Sequence, residues 1–330
     1  MRAAVYRRHG PAGQVLAVEQ IDTPAPGPDE VRVRIVASGV NPTDWKARSG
    51  AVPMPGTAED SGWFQVPNQD GAGVIDAVGP GVDPARVGER VWIYLAAWLR
   101  PWGTAAQYTV VPADRAVPLP DGVPFELGAS LGVPAMTAHR CLFADGPVQG
   151  LTVLVAGGAG AVGHFAIQLA RSAGARVIST VSGPEKAELA LKAGAHHVVN
   201  YREDEAAAKI QAAAPGGVDR IIEVALSANL RLDLEVAAPN ATIVTYAAEP
   251  TEPALPVREL MTRNLLLRFM LLYTVPAEAL RRAAEDITAA LARGALTPLP
   301  TRRYPLDEIA TAHDAVESGA VGKVVVSVGD

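Results

Sequence analysis

A continuous apolar run that leads into a glycine-rich turn constrains the fold of this chain more than any other feature. LTVLVA at 151–156 has the length and composition of a strand that is buried on both faces of a sheet. AGGAGAVG follows at 156–163, with Gly158, Gly160 and Gly163 in the spacing G-x-G-x-x-G, and an amphipathic helical pattern begins there. Such glycines let the backbone approach a pyrophosphate at a helix N-terminus. The context therefore predicts a dinucleotide site rather than the alternative, a purely structural turn.

Strand and helix patterns alternate through residues 125–294. Apolar strand patterns recur with helical patterns between them, at 176–181, 197–201, 218–224, 241–246 and 265–272. With the strand at 151–156 they make six. This arrangement predicts the fold class, which is α/β with a doubly wound parallel sheet of six strands in a Rossmann domain.

The two ends of the chain have a different pattern. Residues 1–124 contain short strands, such as the alternating VRVRIVASGV at 31–40, with Pro and Gly dense between them. Residues 295–330 carry no nucleotide motif and close on a strand at 322–328. We expect one β-rich domain from residues 1–124 and 295–330, and a nucleotide domain from residues 125–294.

Charge and cysteine content narrow the class of protein. The formal net charge is −6 and no basic stripe is present, so nucleic acid is not expected as a partner. Cys141 is the only cysteine, which excludes a disulfide within the chain and a thiolate zinc cluster. MRAAVYRRHG, where the sequence begins, lacks the apolar core of a signal peptide, and no apolar run reaches about 18 residues. We expect a cytoplasmic protein with no membrane partner.

The end of the second strand of the nucleotide domain favours NADPH over NADH. NAD sites usually hold an Asp or Glu there, about 20 residues beyond the glycine turn, to bind the ribose hydroxyls. This chain has Thr-Val-Ser-Gly at 180–183, without a carboxylate that would repel a 2′-phosphate. Ser182, Lys186 and Tyr201 lie at strand ends or early in the next helix, where they can bind that phosphate. The alternative for Lys186 is a solvated lysine on the helix surface.

Further motifs occur in order along the chain, namely VNPTDWKARSG (40–50), DGAGVIDAVG (70–79), GVPAMTA (132–138), KAGAHHVVNYRE (192–203) and YPLDEIATAHDAVESG (304–319). With the glycine turn, they resemble the zeta-crystallin-like group, the zinc-free quinone reductases of the medium-chain dehydrogenases. The resemblance implies a GroES-like catalytic domain from both chain ends, a Rossmann domain between them, and NADPH in the cleft. It also implies a homodimer that joins the strands at 265–272 edge to edge.

The resemblance also implies roles for individual residues. The expected cofactor contacts are Asn41 and Thr137 beside the nicotinamide, Gly158, Gly160, Ala161 and Val162 at the pyrophosphate, Ser182, Lys186 and Tyr201 at the 2′-phosphate, and Tyr246 and Ala247 beside the fifth strand. Zinc alcohol dehydrogenases share the fold, but they have a Cys at the position of Asn41 and a His-Glu pair at Gln69 and Asp70. Without thiolate or imidazole ligands a tetrahedral zinc site cannot be built, so we expect no metal.

Hydride transfer without a metal restricts the acceptor, because the charge that develops on its oxygen must be stabilised in another way. A quinone carries that charge by itself, and an activated enone does so to a lesser degree. Asn41 can donate an amide hydrogen bond to the oxygen, or it is only a turn residue before Pro42. Asp44 can orient Asn41 or the nicotinamide amide, or it is a buried cap. Lys46 stands where the family often has a tyrosine, so no proton donor is assigned.

Aromatic residues cluster in the segments that the family places near the substrate. Trp63, Phe64, Tyr94 and Trp98 are predicted to stack on a planar, electron-poor substrate, while ordinary packing of loop aromatics is the alternative. The resulting hypothesis is an NADPH:quinone oxidoreductase without zinc. The two rival hypotheses are an NADPH-dependent enone reductase and a crystallin-like protein that binds NADPH without catalysis.

Overall fold

The structure, a computed structural model, describes residues 1–52, 63–249 and 251–329. It divides into two compact units, of which the first comprises Met1–Val133 with Pro300–Asp330 and the second comprises Pro134–Leu299. The second unit begins later than residue 125, because the short helix at Phe125–Gly128 packs on strands of the first unit.

The first unit begins with β1 (Arg2–Val5), α1 (Ala12–Val15), β2 (Ala17–Gln20), β3 (Glu30–Gly39), α2 (Pro42–Ser49), β4 (Asp70–Val78), β5 (Arg90–Ile93), β6 (Tyr108–Pro112), β7 (Ala116–Pro118) and α3 (Phe125–Gly128). The chain continues with α4 (Gly132–Phe143), β8 (Thr152–Ala156), α5 (Ala161–Ser172), β9 (Arg176–Val181), α6 (Pro184–Lys192), β10 (His197–Asn200), α7 (Ala206–Ala213), β11 (Val218–Glu223), α8 (Leu226–Val236), β12 (Ala237–Thr245), α9 (Val257–Thr262), β13 (Leu266–Phe269) and α10 (Ala277–Ala292). It returns to the first unit with β14 (Thr301–Pro305), α11 (Ile309–Glu317) and β15 (Lys323–Ser327).

The first unit is built on a seven-stranded sheet in the order β14-β15-β3-β4-β5-β7, with β6 also paired to β3. Its central strand, β3, alternates as a strand with one buried face should. Val31, Val33 and Ile35 are at most 1% exposed, whereas Arg32 on the other face binds Asp76 of β4 at 2.8 Å. β3 ends at Gly39, and Asn41, two residues later, is the N-cap of α2.

The second unit contains the predicted parallel sheet of six strands, in the order β10-β9-β8-β11-β12-β13. The fold class is therefore confirmed. β8 lies near the middle of the sheet, and its residues 153–155 are at most 1% exposed, as the apolar run predicted. The predicted strand at 265–272 is shorter than expected, because β13 ends at Phe269 and the backbone forms a 3₁₀ turn at Leu272–Thr274.

None of the helices in the described part of the chain is both long and apolar enough to cross a lipid bilayer.

Candidate active site

The glycine turn after β8 is too crowded for side chains. Gly157, which the sequence motif does not include, has a φ of +67°, a conformation that favours glycine. A Cβ on Gly158 would lie 2.0 Å from the Oγ of Ser179, and one on Gly163 would lie 2.4 Å from the carbonyl oxygen of Gly157. The close approach of the turn to β9 and to the first turn of α5 therefore requires glycine at both positions.

The N-terminus of α5 supplies hydrogen-bond donors at this turn. Gly160 caps the helix, and the first N–H bonded back to the cap is that of His164, which donates to the Gly160 carbonyl at 2.8 Å. The N–H groups of Ala161, Val162 and Gly163 precede it, so they have no acceptor within the helix and point beyond its end. Three such donors at the positive end of a helix dipole fit the pyrophosphate of a dinucleotide.

The three residues predicted at the 2′-phosphate lie together at one corner of the second unit. Lys186, in the first turn of α6, donates from Nζ to the Oγ of Ser182 at 3.0 Å. Tyr201 follows β10, and its N–H donates to the carbonyl of Val181 at 3.1 Å. The sequence analysis missed Arg202, whose guanidinium lies 6.0 Å from the centre of the Tyr201 ring. An ammonium, a guanidinium and two hydroxyls form a donor set that fits the 2′-phosphate of NADPH.

Apart from Asn41, the remaining predicted cofactor residues also belong to the second unit. Tyr246 follows β12, is half-buried, and donates its N–H to the carbonyl of Glu223 at 3.2 Å. Thr245 donates from Oγ1 to the carbonyl of Ala247 at 3.4 Å. Because β8, β11 and β12 are parallel neighbours, Tyr246 and Ala247 lie at the same carboxyl edge of the sheet as the glycine turn. Thr137 lies on α4 and is almost fully buried.

Asn41 belongs to a buried polar cluster of the first unit, which we call the Asn41 cluster and define as Asn41, Asp44, Asp70 and Lys323. Asn41 donates from Nδ2 to Oδ2 of Asp70 at 2.7 Å, and its Oδ1 accepts from Nζ of Lys323 at 2.6 Å. Lys323 also lies 3.8 Å from the Asp70 carboxylate. All four side chains are almost fully buried. The amide is therefore held from both sides by charged partners.

The Asp44 carboxylate holds the backbone around Asn41. Its Oδ2 accepts the Asn41 N–H at 2.7 Å, and its Oδ1 accepts the Gln69 N–H at 3.1 Å. The sequence left two roles open for Asp44, and in the structure it has both. It is a buried cap of α2, and it also fixes the position of Asn41. Asp70 is fixed in a similar way, because its Oδ1 accepts the N–H of Val133 at the start of α4 at 2.7 Å.

Burial shifts the pKa values of the three titratable side chains in the Asn41 cluster. Burial and then repulsion from Asp70 raise the pKa of Asp44 to about 8. Burial also raises the pKa of Asp70 to about 6, against the effects of Lys323 and the Asn41 amide. Burial lowers the pKa of Lys323, while Asp70 and Asp44 act in the opposite direction. The two carboxyl groups therefore retain protons at a higher pH than they would in water.

The four predicted aromatic residues do not pack together in the structure. Trp63 packs edge-on against Tyr6 with ring centroids 5.5 Å apart. Phe64 instead packs against Trp102 at 5.2 Å, beside a surface pocket of about 680 Å³. Trp98 is half-buried in a turn closed by the bond from its N–H to the carbonyl of Leu95.

The position of Tyr94 does not agree with its predicted contact with a substrate. Its side chain is in the core, with the residue 2% exposed, and its ring centre lies 5.9 Å from that of Trp92. Its hydroxyl donates to the carbonyl of Asp114 at 3.2 Å. The structure therefore does not support stacking of Tyr94 on a substrate, because the residue directly after β5 packs inward against its own sheet.

The sequence did not indicate Lys323, and it indicated Asp70 only as a replacement for a zinc ligand. A signal was nevertheless present, since each is a charged residue that stands directly before an apolar or small-residue run, in KVVV at the start of β15 and DGAGVI at the start of β4. Both strands neighbour β3, whose end carries Asn41. The pairing that brings them together is non-local, and it could not be obtained from spacing along the chain.

A parallel sheet with a glycine turn, together with a β-rich unit built from both chain ends, defines a dinucleotide-binding dehydrogenase. Two families match the chain, the Alcohol dehydrogenase GroES-like domain over residues 27–121 and the Zinc-binding dehydrogenase family over residues 161–289. A quinone oxidoreductase from Rattus norvegicus is 31% identical over 99% of this chain and 97% of its own length. A 2-haloacrylate reductase from Burkholderia sp. is 31% identical over 95% of this chain and 94% of its own.

The solved structure of the Escherichia coli quinone oxidoreductase complexed with NADPH is similar, with a TM-score of 0.84. It is 25% identical over 99% of this chain and 100% of its own. The chain belongs to the zeta-crystallin-like quinone oxidoreductase family of the medium-chain dehydrogenases. This confirms the resemblance inferred from the motifs and the GroES-like assignment of the β-rich part.

Proposed function

We propose that this protein transfers a hydride from NADPH to a quinone without a metal. The observation that carries the proposal is the environment of Asn41, whose Oδ1 accepts a 2.6 Å hydrogen bond from the ammonium of Lys323. At the position where zinc dehydrogenases have a cysteine ligand, this chain has a neutral amide paired with a cation. An ammonium at that distance opposes a second cation electrostatically, and the donor set lacks the thiolates and imidazoles that zinc prefers.

The second unit would bind and orient the cofactor, which supplies a hydride when bound. The N–H groups of Ala161 and Val162 would hold the pyrophosphate, and Ser182, Lys186 and Tyr201 would hold the 2′-phosphate. The hydrogen bond from Lys186 to Ser182 supports this role, because it places the ammonium at the strand end where a phosphate needs it. Arg202 would add a second cation. Thr137, Tyr246 and Ala247 remain predicted contacts of the cofactor.

Asn41 would donate an amide hydrogen bond to the acceptor oxygen as negative charge develops there. Asp44 would act as a positioning residue through the Asn41 N–H. One amide donor stabilises far less charge than a zinc ion, so the reaction requires an acceptor that spreads the charge itself. A quinone satisfies this requirement, and solvent can protonate its product. Trp63, Phe64 and Trp98 remain predicted contacts of such a planar substrate.

The test is steady-state oxidation of NADPH by a panel of benzoquinones and naphthoquinones. The protein should first be dialysed against a chelator. We expect turnover with several of them, and an unchanged rate after the chelator treatment. Absence of turnover with every quinone, or a rate that depends on added zinc, would remove the proposal.

Reduction of an activated double bond is the second candidate. It is favoured by the 31% identity to the 2-haloacrylate reductase over nearly the whole chain. The same donors would serve, because an enolate oxygen also carries the developing charge. A kcat/KM for short enones or haloacrylates that exceeds the value for every quinone would favour this candidate. Tight NADPH binding with no oxidation by either class would favour the non-catalytic alternative.

We also propose a homodimer joined through β13, which is one of the two edge strands of the parallel sheet in the described part of the chain. Val257, Met261, Leu266, Phe269 and Leu271 lie on or near this edge with exposed apolar side chains. Such a surface is typical of a protein interface. A cytoplasmic location is proposed with it, supported by a lone cysteine that is buried as a free thiol.

A further inference from the structure

Lys323 is buried among polar partners at the end of β3. Its Nζ donates to Oδ1 of Asn41 at 2.6 Å and to the carbonyl of Val40 at 3.2 Å. A Cβ on Gly39 would lie 3.2 Å from the Lys323 Cε, and also 1.9 Å from the carbonyl oxygen of Ala129. The Ala129 carbonyl is the main reason for glycine at position 39, and a side chain there would also crowd Lys323. Lys323 itself is 3% exposed.

The two charged neighbours of the Asn41 amide fix its orientation. An ammonium can only donate and an ionised carboxylate can only accept, so Oδ1 must face Lys323 and Nδ2 must face Asp70. The amide nitrogen carries two hydrogens, and among the described residues Asp70 is its acceptor for one of them. The second hydrogen is then left with a single direction, set by the plane of the amide.

The contact between Lys323 and Oδ1 strengthens this hydrogen as a donor. A cation on the carbonyl end of an amide draws electron density from its nitrogen, and chains of hydrogen bonds in a low-dielectric interior polarise one another. Asn41 is 2% exposed, so water screens the effect little. A donor that is already oriented and polarised costs no reorganisation when charge develops on its acceptor.

We infer that Lys323 is a positioning residue for the reaction, which orients and polarises the Asn41 amide so that it stabilises an oxyanion. The inference rests on the proposed function, because it assigns Asn41 to the acceptor oxygen. Asp70 completes the arrangement by holding the other amide hydrogen. The ligand class is a planar phenolate or enolate oxygen, the form that a quinone or enone takes as it receives the hydride.

The test measures oxyanion binding without turnover. 4-Nitrophenol is titrated into the complex of the protein with NADP⁺, and the absorbance of its phenolate gives the pKa of the bound phenol. We expect the wild type to lower that pKa relative to free nitrophenol. In K323M the bound pKa should rise by about one unit, which is a tenfold loss of preference for the anion. K323R should retain most of the wild-type shift. K192M, which changes an exposed lysine of α6, should behave as wild type.

A double-mutant cycle separates an effect through Asn41 from general damage to the fold. If Lys323 acts through the amide, K323M should change the bound pKa little in an N41A background. If K323M acted only by removing the positive charge beside Asp70, it would lower the thermal midpoint both with and without Asn41. Its effect on the bound pKa would then not depend on Asn41. All variants are compared at a temperature well below their midpoints.

Two results would overturn the inference. One is a wild type that neither binds nitrophenol nor shifts its pKa. The other is the same K323M effect with and without Asn41. Neither depends on quinone turnover, so failure of the proposed function is recognised separately. If the protein reduces no quinone but the double-mutant cycle gives the predicted result, the oxyanion site is supported and only the proposed acceptor is wrong.

Discussion

The ammonium of Lys186 lies 3.0 Å from the hydroxyl of Ser182, across the loop that joins β9 to α6. This contact ties a cation on the first turn of a helix to the end of the strand where NAD-binding proteins usually have a carboxylate. Tyr201 directly follows the neighbouring strand β10, and its N–H donates to the carbonyl of Val181 at the end of β9. We therefore predict that the charge at this corner selects NADPH over NADH.

Replacement of Lys186 tests that role. K186A should weaken NADPH binding about tenfold or more, because a hydrogen bond to a charged group contributes about 1.5–3 kcal/mol. Binding of NADH should change little. The measurement is isothermal titration of each variant with both cofactors. K192A, on the last turn of the same helix, is the matched control. Indifference of both wild type and K186A to the 2′-phosphate would contradict the assignment.

The glycine turn is tested by adding one methyl group. G163A would place its Cβ 2.4 Å from the carbonyl of Gly157, so the turn must move. We expect a loss of roughly 1–3 kcal/mol in the free energy of unfolding, as for other overpacked sites, together with at least about tenfold weaker NADPH binding. In G216A the added Cβ meets no atom within 4 Å, and urea unfolding should show wild-type stability. Equal stability of the two variants would refute the close approach.

The stability of the first unit should depend on pH through His313. Burial, and to a lesser extent Arg48, lowers the pKa of His313 to about 3. Its Nε2 donates to Oδ1 of Asn68 at 3.0 Å, so the folded protein requires the neutral ring. The unfolded chain binds a proton below about pH 6.5, and stability is therefore lost as the pH falls from there toward 3.

H313Q keeps an amide donor for Asn68 and removes the titration. Between pH 7 and pH 5 the wild type should lose about 2 kcal/mol more than this variant, measured by urea unfolding. H197Q, at an exposed position of β10, should keep the wild-type dependence. A pH dependence that is identical in H313Q and wild type would show that the buried ring does not titrate as the structure implies.

The proposed dimer depends on the exposed side chains of β13 and of the preceding helix α9. Phe269 is 68% exposed and Met261 is 69% exposed, although both are large and apolar. F269E should raise the dissociation constant about 30-fold or more, because a charge would be buried at the centre of the interface. Sedimentation equilibrium provides the measurement, and V87E on the exposed surface of the first unit is the control. A monomeric wild type at micromolar concentration would rule out this interface.

Much of the fold could be predicted because its signals are local. The apolar run of β8 and the glycines after it lie within 13 residues of each other, from Leu151 to Gly163, and the structure has the strand, turn and helix there. The strand predicted at 265–272 was too long, since an apolar run does not reveal where the backbone turns. The short helix α3 also joined the first unit through packing that composition does not encode.

The candidate site was predictable where its residues are close in sequence. Ser182 and Lys186 are four residues apart, so their contact follows from a strand leading into a helix. Asn41 and Lys323 are 282 residues apart, and only the antiparallel pairing of β15 with β3 brings them together. Trp63 and Phe64 are adjacent in sequence, but their rings contact different partners, Tyr6 and Trp102, and sequence spacing did not indicate either contact.

The most direct test of the central claim is a single-turnover experiment with metal-stripped protein. NADPH labelled with deuterium on one face or the other of nicotinamide C4 is mixed rapidly with 1,4-naphthoquinone, and cofactor oxidation is followed by absorbance. The account predicts complete oxidation without added metal, slowed by deuterium on one face and not on the other, as direct hydride transfer in a fixed orientation requires. Absence of oxidation until a metal is added, or equal rates with both labelled cofactors, would contradict it.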